Sequence, residues 1–225
     1  MPNIGFRIFP AVRKASTELL RQYRDFVTPH LSDNMNRLNA VDARIRPIHA
    51  SGKLVGSAFT VKTRPGDNLM IHKAIDMAGP GDVIVVDAGG DLTNAIIGEI
   101  MVRLAKKNGV EGFVIDGAVR DYEAIRELNY PVYAKGIIHR GPYKDGPGEI
   151  NVPIQIGGAV VNPGDIVVGD LDGVVVVPFE QAEFLIGKVK TTMEMEKSIL
   201  DSIENGSVDR GWVDELLRKK GCEGV

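Results

Sequence analysis

The stretch from Val110 to Ile125, which reads VEGFVIDGAVRDYEAI, constrains the fold more than any other part of the chain. An apolar run at 112–115 predicts a short buried strand, the Asp116-Gly117 pair is a turn signal, and residues 122–128 follow a helical pattern. A strand, a tight turn and a helix in this order are typical of an open α/β sheet, where ligands bind at the strand ends. We therefore expect a functional site where Arg120 and Asp121 lead into the helix.

Arg120 and Asp121 stand side by side at this point. A guanidinium group binds carboxylates and phosphates in a two-pronged geometry, and a carboxylate is a hard oxygen ligand for divalent cations. The same residue types also have ordinary structural roles. Asp121 would then cap the following helix, and Arg120 would be a solvated surface charge. Both interpretations stay open on these two residues alone.

The composition limits the class of protein. The chain has 225 residues, a formal net charge of -3 and a single cysteine, Cys222, near its end. This charge gives no reason to expect nucleic-acid or membrane binding, and one cysteine allows neither an internal disulfide nor a cysteine-based metal site. No apolar run approaches the roughly 18 residues that span a bilayer, and the N-terminus does not resemble a signal peptide. A cytoplasmic protein is expected.

The remaining patterns predict one α/β domain over residues 1–225, with a core at about 30–178. Short apolar runs separated by glycine-containing turns between residues 151 and 177 predict β-hairpins and not βαβ units. A strand is expected at 83–86, ending at Asp87. Helical patterns at 18–26 and 31–38, and from Phe179 to about Glu204 and 210–220, predict helical arms at 14–38 and 179–220.

A second anion-binding feature lies at Gly98, Glu99, Ile100 and Met101, where a helix is expected to begin. The first backbone N–H groups of a helix lack intrahelical partners and accept a carboxylate or phosphate. Glycine at this point lets a ligand approach the backbone. The alternative is ordinary capping by water or by Asn94.

Glu99 and the Arg120-Asp121 pair can share one edge of the sheet, because each lies near a helix start. Arg120 and backbone amides would then hold a 2-oxo acid, Asp121 would hold a divalent cation, and Glu99 would orient metal-bound water. No competing centre is present, since the sequence has no Gly-x-Ser-x-Gly, His-Glu-x-x-His or Walker motif. Its four histidines have no ligand spacing, and all but His139 are expected to be packing or surface residues, namely His30, His49 and His72.

Several segments in the right order resemble the RraA-like family. These are PGDNLMIHKA, GGDLTNAIIGEIM, GVEGFVIDGAVRD, GPGEINVPIQIGG and VNPGDIVVGDLDGVVVVP, which together cover most of residues 56–178. The best-known enzyme branch of this family is the 4-hydroxy-4-methyl-2-oxoglutarate aldolase, which is also an oxaloacetate decarboxylase. The resemblance implies a three-layer β/β/α swivelling-domain fold, assembly into homotrimers or homohexamers, and active sites between subunits.

The resemblance also implies roles for individual residues. The substrate would be a small 2-oxo acid, bound by Arg120 and by the backbone of Gly98, Glu99, Ile100 and Met101, with Mg²⁺ or Mn²⁺ on Asp121. The implied aldol cleavage needs no Schiff base, and a metal-linked water held by Glu99 would act as general base. Glu99 stands where characterised aldolases have aspartate. The carboxylate is kept but lies one methylene further out, so the difference affects the identity of the substrate more than the type of reaction. We further expect Asn68 to contact the substrate, and Lys144 and His139 to close over the site from their loop. Glu196, with Glu194 as runner-up, is expected to reach a neighbouring site from the arm, or else both are solvated helix charges.

Two other functions remain open for such a chain. One is a binding protein of the RraA type, which inhibits an RNA-degrading endonuclease through an outer surface. The other is a methyltransferase acting on a quinone precursor, which the lack of a glycine-rich cofactor loop disfavours. The intact Arg120-Asp121 pair and the terminal arms favour the lyase.

Overall fold

Strands and helices alternate in the first part of the chain and separate in the last part. The computed structural model describes residues 3–11 and 13–225. The strands are β1 (Phe6–Ile8), β2 (Arg46–Pro47), β3 (Leu54–Thr63), β4 (Asp82–Ile97), β5 (Gly112–Val119), β6 (Val132–Ile137), β7 (Gly148–Ile150), β8 (Ile154–Ile156), β9 (Ala159–Val161), β10 (Ile166–Asp170) and β11 (Gly173–Val177). The helices are α1 (Thr17–Tyr23), α2 (Thr28–Asn34), α3 (Leu69–Met77), α4 (Glu99–Lys107), α5 (Tyr122–Leu128), α6 (Ala182–Glu204) and α7 (Gly211–Lys219), with a 3-10 turn at Phe179–Gln181.

Four parallel strands, β3 to β6, form the centre of the main sheet and follow one another in chain order. The helices α3, α4 and α5 connect them, and right-handed crossovers between successive neighbours place all three helices on one face. Ile71, Val102 and Ile125 of these helices share one apolar core with Val86 and Ile115 of the strands. The N-terminal ends of the three helices therefore lie along the edge where the parallel strands end.

A second β layer covers the opposite face of the sheet. The β8–β9 hairpin and the antiparallel β10–β11 pair enclose a second apolar core with the central strands, in which Ile156 and Val176 lie with Val83 and Val114. The predicted β/β/α layering and the predicted hairpins are confirmed. The helices α1, α2 and the first half of α6 pack on the outer side of β10–β11 through a third core.

Three local predictions were wrong. The β4 strand does not end at Asp87 but continues to Ile97, with irregular pairing to β5 after Asp87. Asp116-Gly117 is not a turn, because the Asp116 carboxylate accepts hydrogen bonds from Lys135 Nζ and the Gly157 N–H at 3.1 Å each, which satisfies it within β5. The α2 helix begins at Thr28 and not at Leu31, because a proline suits the first turn of a helix.

No helix in the described ranges combines the length and the apolar character that crossing a bilayer requires.

Candidate active site

Three helix N-caps meet at the edge where the parallel strands end. Asn68 precedes α3, Gly98 precedes α4, and Asp121 precedes α5. Their proximity follows from the topology, because each helix starts within a few residues of the end of its strand and the strands are neighbours. The sequence prediction that the starts of α4 and α5 share one edge is confirmed by a direct hydrogen bond between them.

Asp121 does not cap its own helix. No side-chain cap bond is formed at the start of α5, and the Asp121 Oδ2 atom instead accepts a hydrogen bond of 2.9 Å from the Glu99 N–H of α4. The Asp121 backbone lies in the left-handed region, with φ 59° and ψ 42°, a conformation that aspartate and asparagine adopt more readily than most residues. The carboxylate thus joins the first turns of two helices.

Arg120 lies beside this carboxylate. Its backbone N–H donates to the Ile97 carbonyl at 3.0 Å, and its Nε atom lies 3.8 Å from Asp121 Oδ2. The Arg120 side chain is 43% exposed, so its guanidinium group is open to a ligand. A surface ion pair of this length contributes little to stability.

Gly98 is required for this arrangement. A Cβ atom at Gly98 would lie 2.4 Å from Asp121 Oδ2 and 3.0 Å from Arg120 Cγ. The Gly98 backbone is extended, with φ -152°, so the need for glycine is spatial and not conformational. The glycine lets the Arg120-Asp121 segment approach the start of α4.

Glu99 contributes to the site through its backbone. Its N–H is taken by Asp121, and its carboxylate accepts a 2.7 Å hydrogen bond from Arg103 Nε, one helical turn later. Because α4 begins here, the N–H groups of Ile100 and Met101 lack acceptors within the helix. Of the four predicted backbone contacts, those of Ile100 and Met101 therefore best match an anion-binding position.

A cavity of about 170 Å³ opens onto these groups. Its polar lining comes from Asn68, His72, Arg120, Asp121 and Lys144. Gly98, Ile100, Met101 and Pro142 complete the lining with residues 95–97 of β4. Glu99 and His139 do not line it. The cavity thus brings together the predicted residues Asn68, Arg120, Asp121 and Lys144, and it also includes His72, which was expected to be a packing or surface residue although it lies one helical turn after Asn68.

Asn68 is nearly inaccessible, with 2% of its surface exposed. Its Nδ2 donates to the Ile96 carbonyl at 3.0 Å, and its Oδ1 atom is buried without a partner among the described residues. The bond to Ile96 fixes the amide orientation, because a carbonyl oxygen can only accept. Next to it, burial and then the charge of Lys144 lower the pKa of His72.

The loop that carries Lys144 is anchored to the sheet at several points. The Arg140 carbonyl accepts from the Ala95 N–H at 2.8 Å, and the Tyr143 N–H donates to the Gly66 carbonyl at 2.8 Å. The buried Asp67 carboxylate accepts from the Asp145 N–H at 2.7 Å. These bonds hold the loop in a defined position over the cavity.

The residues around Asp121 are compatible with a magnesium-type site. Among the described residues there is no group of three or more histidine, cysteine or acidic side chains that could hold a metal ion. Mg²⁺, however, is often held by one or two carboxylates, with substrate oxygens and water completing the shell. Asp121 lines the cavity, and its second carboxylate oxygen forms no hydrogen bond with the described residues, so a one-carboxylate site fits this chain.

The predicted arm carboxylate has a partner within this chain. Glu196 on α6 forms a short contact with His30 Nε2 on α2. The second half of α6 and α7 nevertheless expose large apolar side chains, which include Ile199, Ile203 and Trp212.

A sequence model of the RraA-like family, described as Aldolase/RraA, matches residues 28–176. A Halalkalibacterium halodurans protein named as a candidate 4-hydroxy-4-methyl-2-oxoglutarate aldolase is 41% identical over 194 residues, covering 84% of this chain and 92% of that protein. The similarity to this protein extends over more residues than the family model, which ends at residue 176, before α6 begins.

Solved structures share the fold. An uncharacterized protein from Pseudomonas syringae pv. tomato superimposes with a TM-score of 0.79 and 29% identity, covering 89% of this chain and 94% of that one. The RNA-processing inhibitor RraA from Thermus thermophilis does so with a TM-score of 0.63 and 31% identity, covering 68% of this chain and 93% of that one.

Proposed function

The chain belongs to the RraA-like family, and we propose that it is a carbon-carbon lyase that releases pyruvate from a 4-hydroxy-2-oxo acid. The observation that carries the proposal is the meeting of Arg120, Asp121 and the free N–H groups of α4 in one cavity. The candidate aldolase of H. halodurans supports 4-hydroxy-4-methyl-2-oxoglutarate as the substrate.

The chemistry of the cleavage assigns a role to Arg120. When the bond between C3 and C4 breaks, its electron pair moves into the C2–C3 bond and the 2-oxo group becomes an enolate oxygen. The Arg120 guanidinium and the N–H groups of Ile100 and Met101 are donors that stabilise this developing negative charge. C4 becomes a carbonyl after its hydroxyl loses a proton, and a proton on C3 completes pyruvate.

Asp121 would hold Mg²⁺ or Mn²⁺, which would supply Lewis-acid polarisation of the 2-oxo group. The chain's own contribution is to orient the carboxylate, because the Glu99 N–H holds one of its oxygens at 2.9 Å. Gly98 leaves the space in which that oxygen lies.

Glu99 is proposed to assist removal of the C4 hydroxyl proton through a water molecule. For this role its carboxylate has to leave Arg103, to which it is bonded at 2.7 Å, and turn toward the cavity, which it does not line. An exposed pair one helical turn apart is worth only about 0.3–0.5 kcal/mol, so breaking the pair costs little.

Oxaloacetate decarboxylation is proposed as a second activity of the same site. Loss of the C4 carboxylate as carbon dioxide generates the same pyruvate enolate, so Arg120 and the α4 N–H groups stabilise both reactions. No C4 hydroxyl proton is removed in this case, and Glu99 is therefore not required for it.

The test is pyruvate release from 4-hydroxy-4-methyl-2-oxoglutarate and from oxaloacetate, with Mg²⁺ and with excess chelator. Metal-dependent release above the uncatalysed rate supports the proposal. Absence of release from both substrates contradicts it.

Assembly into a homotrimer or homohexamer is also proposed. The exposed apolar side chains of α6 and α7 support it, because large exposed apolar patches mark interaction surfaces between proteins. Light scattering coupled to size-exclusion chromatography measures the mass, and a monomer would contradict the proposal.

A regulatory binding protein is the alternative function. The similarity to the RNA-processing inhibitor RraA favours it, since the matched part includes the shared core. A variant of this chain with Arg120 replaced distinguishes the two functions. As an inhibitor, the variant would still bind and slow an RNA-degrading endonuclease. As a lyase, it would lose pyruvate release.

A further inference from the structure

Lys144 is a cavity cation that forms no salt bridge among the described residues. It lines the same space as Arg120, and no acidic side chain among the described residues is paired with it. Lys14 and Lys135, by contrast, pair with Asp82 and Asp116 at 2.7 and 3.1 Å. The Lys144 ammonium group is therefore available to an anion in the cavity.

The backbone on both sides of Lys144 is fixed. Tyr143 exchanges hydrogen bonds with the segment before α3, donating to the Gly66 carbonyl at 2.8 Å and accepting from the Asn68 N–H at 3.0 Å. Asp145 donates to Asp67, whose side chain is completely buried. Lys144 consequently extends from a defined position, and less conformational entropy is lost when it binds a ligand.

The same loop sets the spacing between Lys144 and Arg120. A Cβ atom at Gly141 would lie 3.1 Å from the Arg120 Nη1 atom, so Gly141 passes directly beside the guanidinium group. Two residues separate Gly141 from Lys144, which limits their Cα atoms to a separation of roughly 10 Å. Two cations that line one cavity suit the two carboxylates of a short dicarboxylate.

We propose that Lys144 binds the second carboxylate of a dicarboxylic 2-oxo acid whose 2-oxo acid end is held by Arg120. The inference rests on the proposed function, since it names the residue that selects a dicarboxylic over a monocarboxylic substrate at that site. A monocarboxylic acid would leave the Lys144 charge without a partner in the occupied cavity. Lys144 is thus a specificity-determining residue and not part of the bond-breaking chemistry.

The test compares two ligands of equal chain length, 2-oxoglutarate and 2-oxopentanoate, which differ only in the terminal carboxylate. Calorimetry with Mg²⁺ present gives the ratio of their affinities for the wild type, Lys144→Met, Lys144→Arg and Lys73→Met. Lys73 is a matched control, because it is exposed on α3 next to His72 but does not line the cavity. Thermal denaturation of each variant checks that the fold is retained.

We expect the wild type and Lys73→Met to prefer 2-oxoglutarate by about tenfold or more, the range of one hydrogen bond to a charged group. Lys144→Met should reduce this preference to near unity, and Lys144→Arg should keep most of it. An unchanged preference in Lys144→Met, or no preference in the wild type, overturns the inference. Pyruvate release by the wild type is scored separately, so a failure of the Lys144 subsite is distinguishable from a failure of the proposed reaction.

Discussion

The Asp121 carboxylate caps a helix that is not its own, because Oδ2 accepts the Glu99 N–H at 2.9 Å while α5, which Asp121 precedes, receives no side-chain cap. This bond links the end of β5 to the start of α4. It leaves the second carboxylate oxygen for a ligand and brings Arg120 next to the unpaired N–H groups of Ile100 and Met101. The proposed chemistry depends on this arrangement.

Arg120→Lys should lower pyruvate release on the order of 10²-fold or more, because a point charge does not reproduce the planar fork of donors around an enolate or carboxylate. Steady-state kinetics measure the loss, and it should appear in kcat. Near-wild-type kinetics would show that Arg120 is a surface charge.

Gly98→Ala should lower activity on the order of 10²-fold, since a displacement of about 1 Å in a positioned group has this effect. The new Cβ would lie 2.4 Å from Asp121 Oδ2 and force the carboxylate to move. Gly187→Ala on α6 is the control, because no atom lies within 4 Å of its added Cβ. Equal activity of the two variants would mean that the carboxylate position does not matter.

Glu99→Gln should lower kcat for the 4-hydroxy-2-oxo acid on the order of 10²-fold, the lower range for loss of a general base. Arg103→Gln breaks the same salt bridge but keeps the carboxylate, and it should retain activity. Oxaloacetate decarboxylation should be less affected by Glu99→Gln than aldol cleavage. If both variants behave alike in both assays, Glu99 has only a structural role.

Stability should fall as the pH drops below about 6.5, the ordinary pKa of histidine. Burial lowers the pKa of His49, whose Nδ1 accepts from the Val132 N–H at 3.2 Å. The unfolded chain therefore binds protons at a pH where folded His49 does not, and the free energy of unfolding decreases. Urea unfolding at about pH 7.5 and about pH 5.5 measures how far the free energy of unfolding decreases between the two pH values. This decrease should be smaller for His49→Gln than for the exposed-site variant His139→Gln. Equal decreases in the two variants would exclude His49 as the source of the pH dependence.

The central strands and the starts of α4 and α5 could be predicted because they depend on local signals, whereas the β/β/α layering was implied by the family resemblance. The apolar run of β5, the glycine before α4 and the alternating pattern after residue 151 each indicate an element by themselves. Arg120 and Asp121 then follow at a strand end, and the order of the parallel strands brings Glu99 to them.

Other features depended on contacts that are distant in sequence. Asp116 resembles a turn residue in the sequence. In the structure it lies inside a strand, because Lys135 and the Gly157 N–H donate hydrogen bonds to its carboxylate. His72 has no sequence signal except its position one turn after Asn68. It lines the cavity because the loop with Lys144, which is distant in sequence, lies beside α3. The role of Asp121 as a cap of α4 also required the spatial proximity of two helices.

The substitution Asp121→Asn tests the central claim most directly. Asparagine keeps an oxygen that can accept the Glu99 N–H and tolerates the left-handed backbone, but it removes the charge that a divalent cation requires. The measurement is pyruvate release from 4-hydroxy-4-methyl-2-oxoglutarate across a Mg²⁺ titration, alongside the melting temperature. The account predicts a wild-type melting temperature for the variant, with turnover lost and not restored by Mg²⁺. Wild-type turnover by Asp121→Asn, or full wild-type activity in excess chelator, would contradict it.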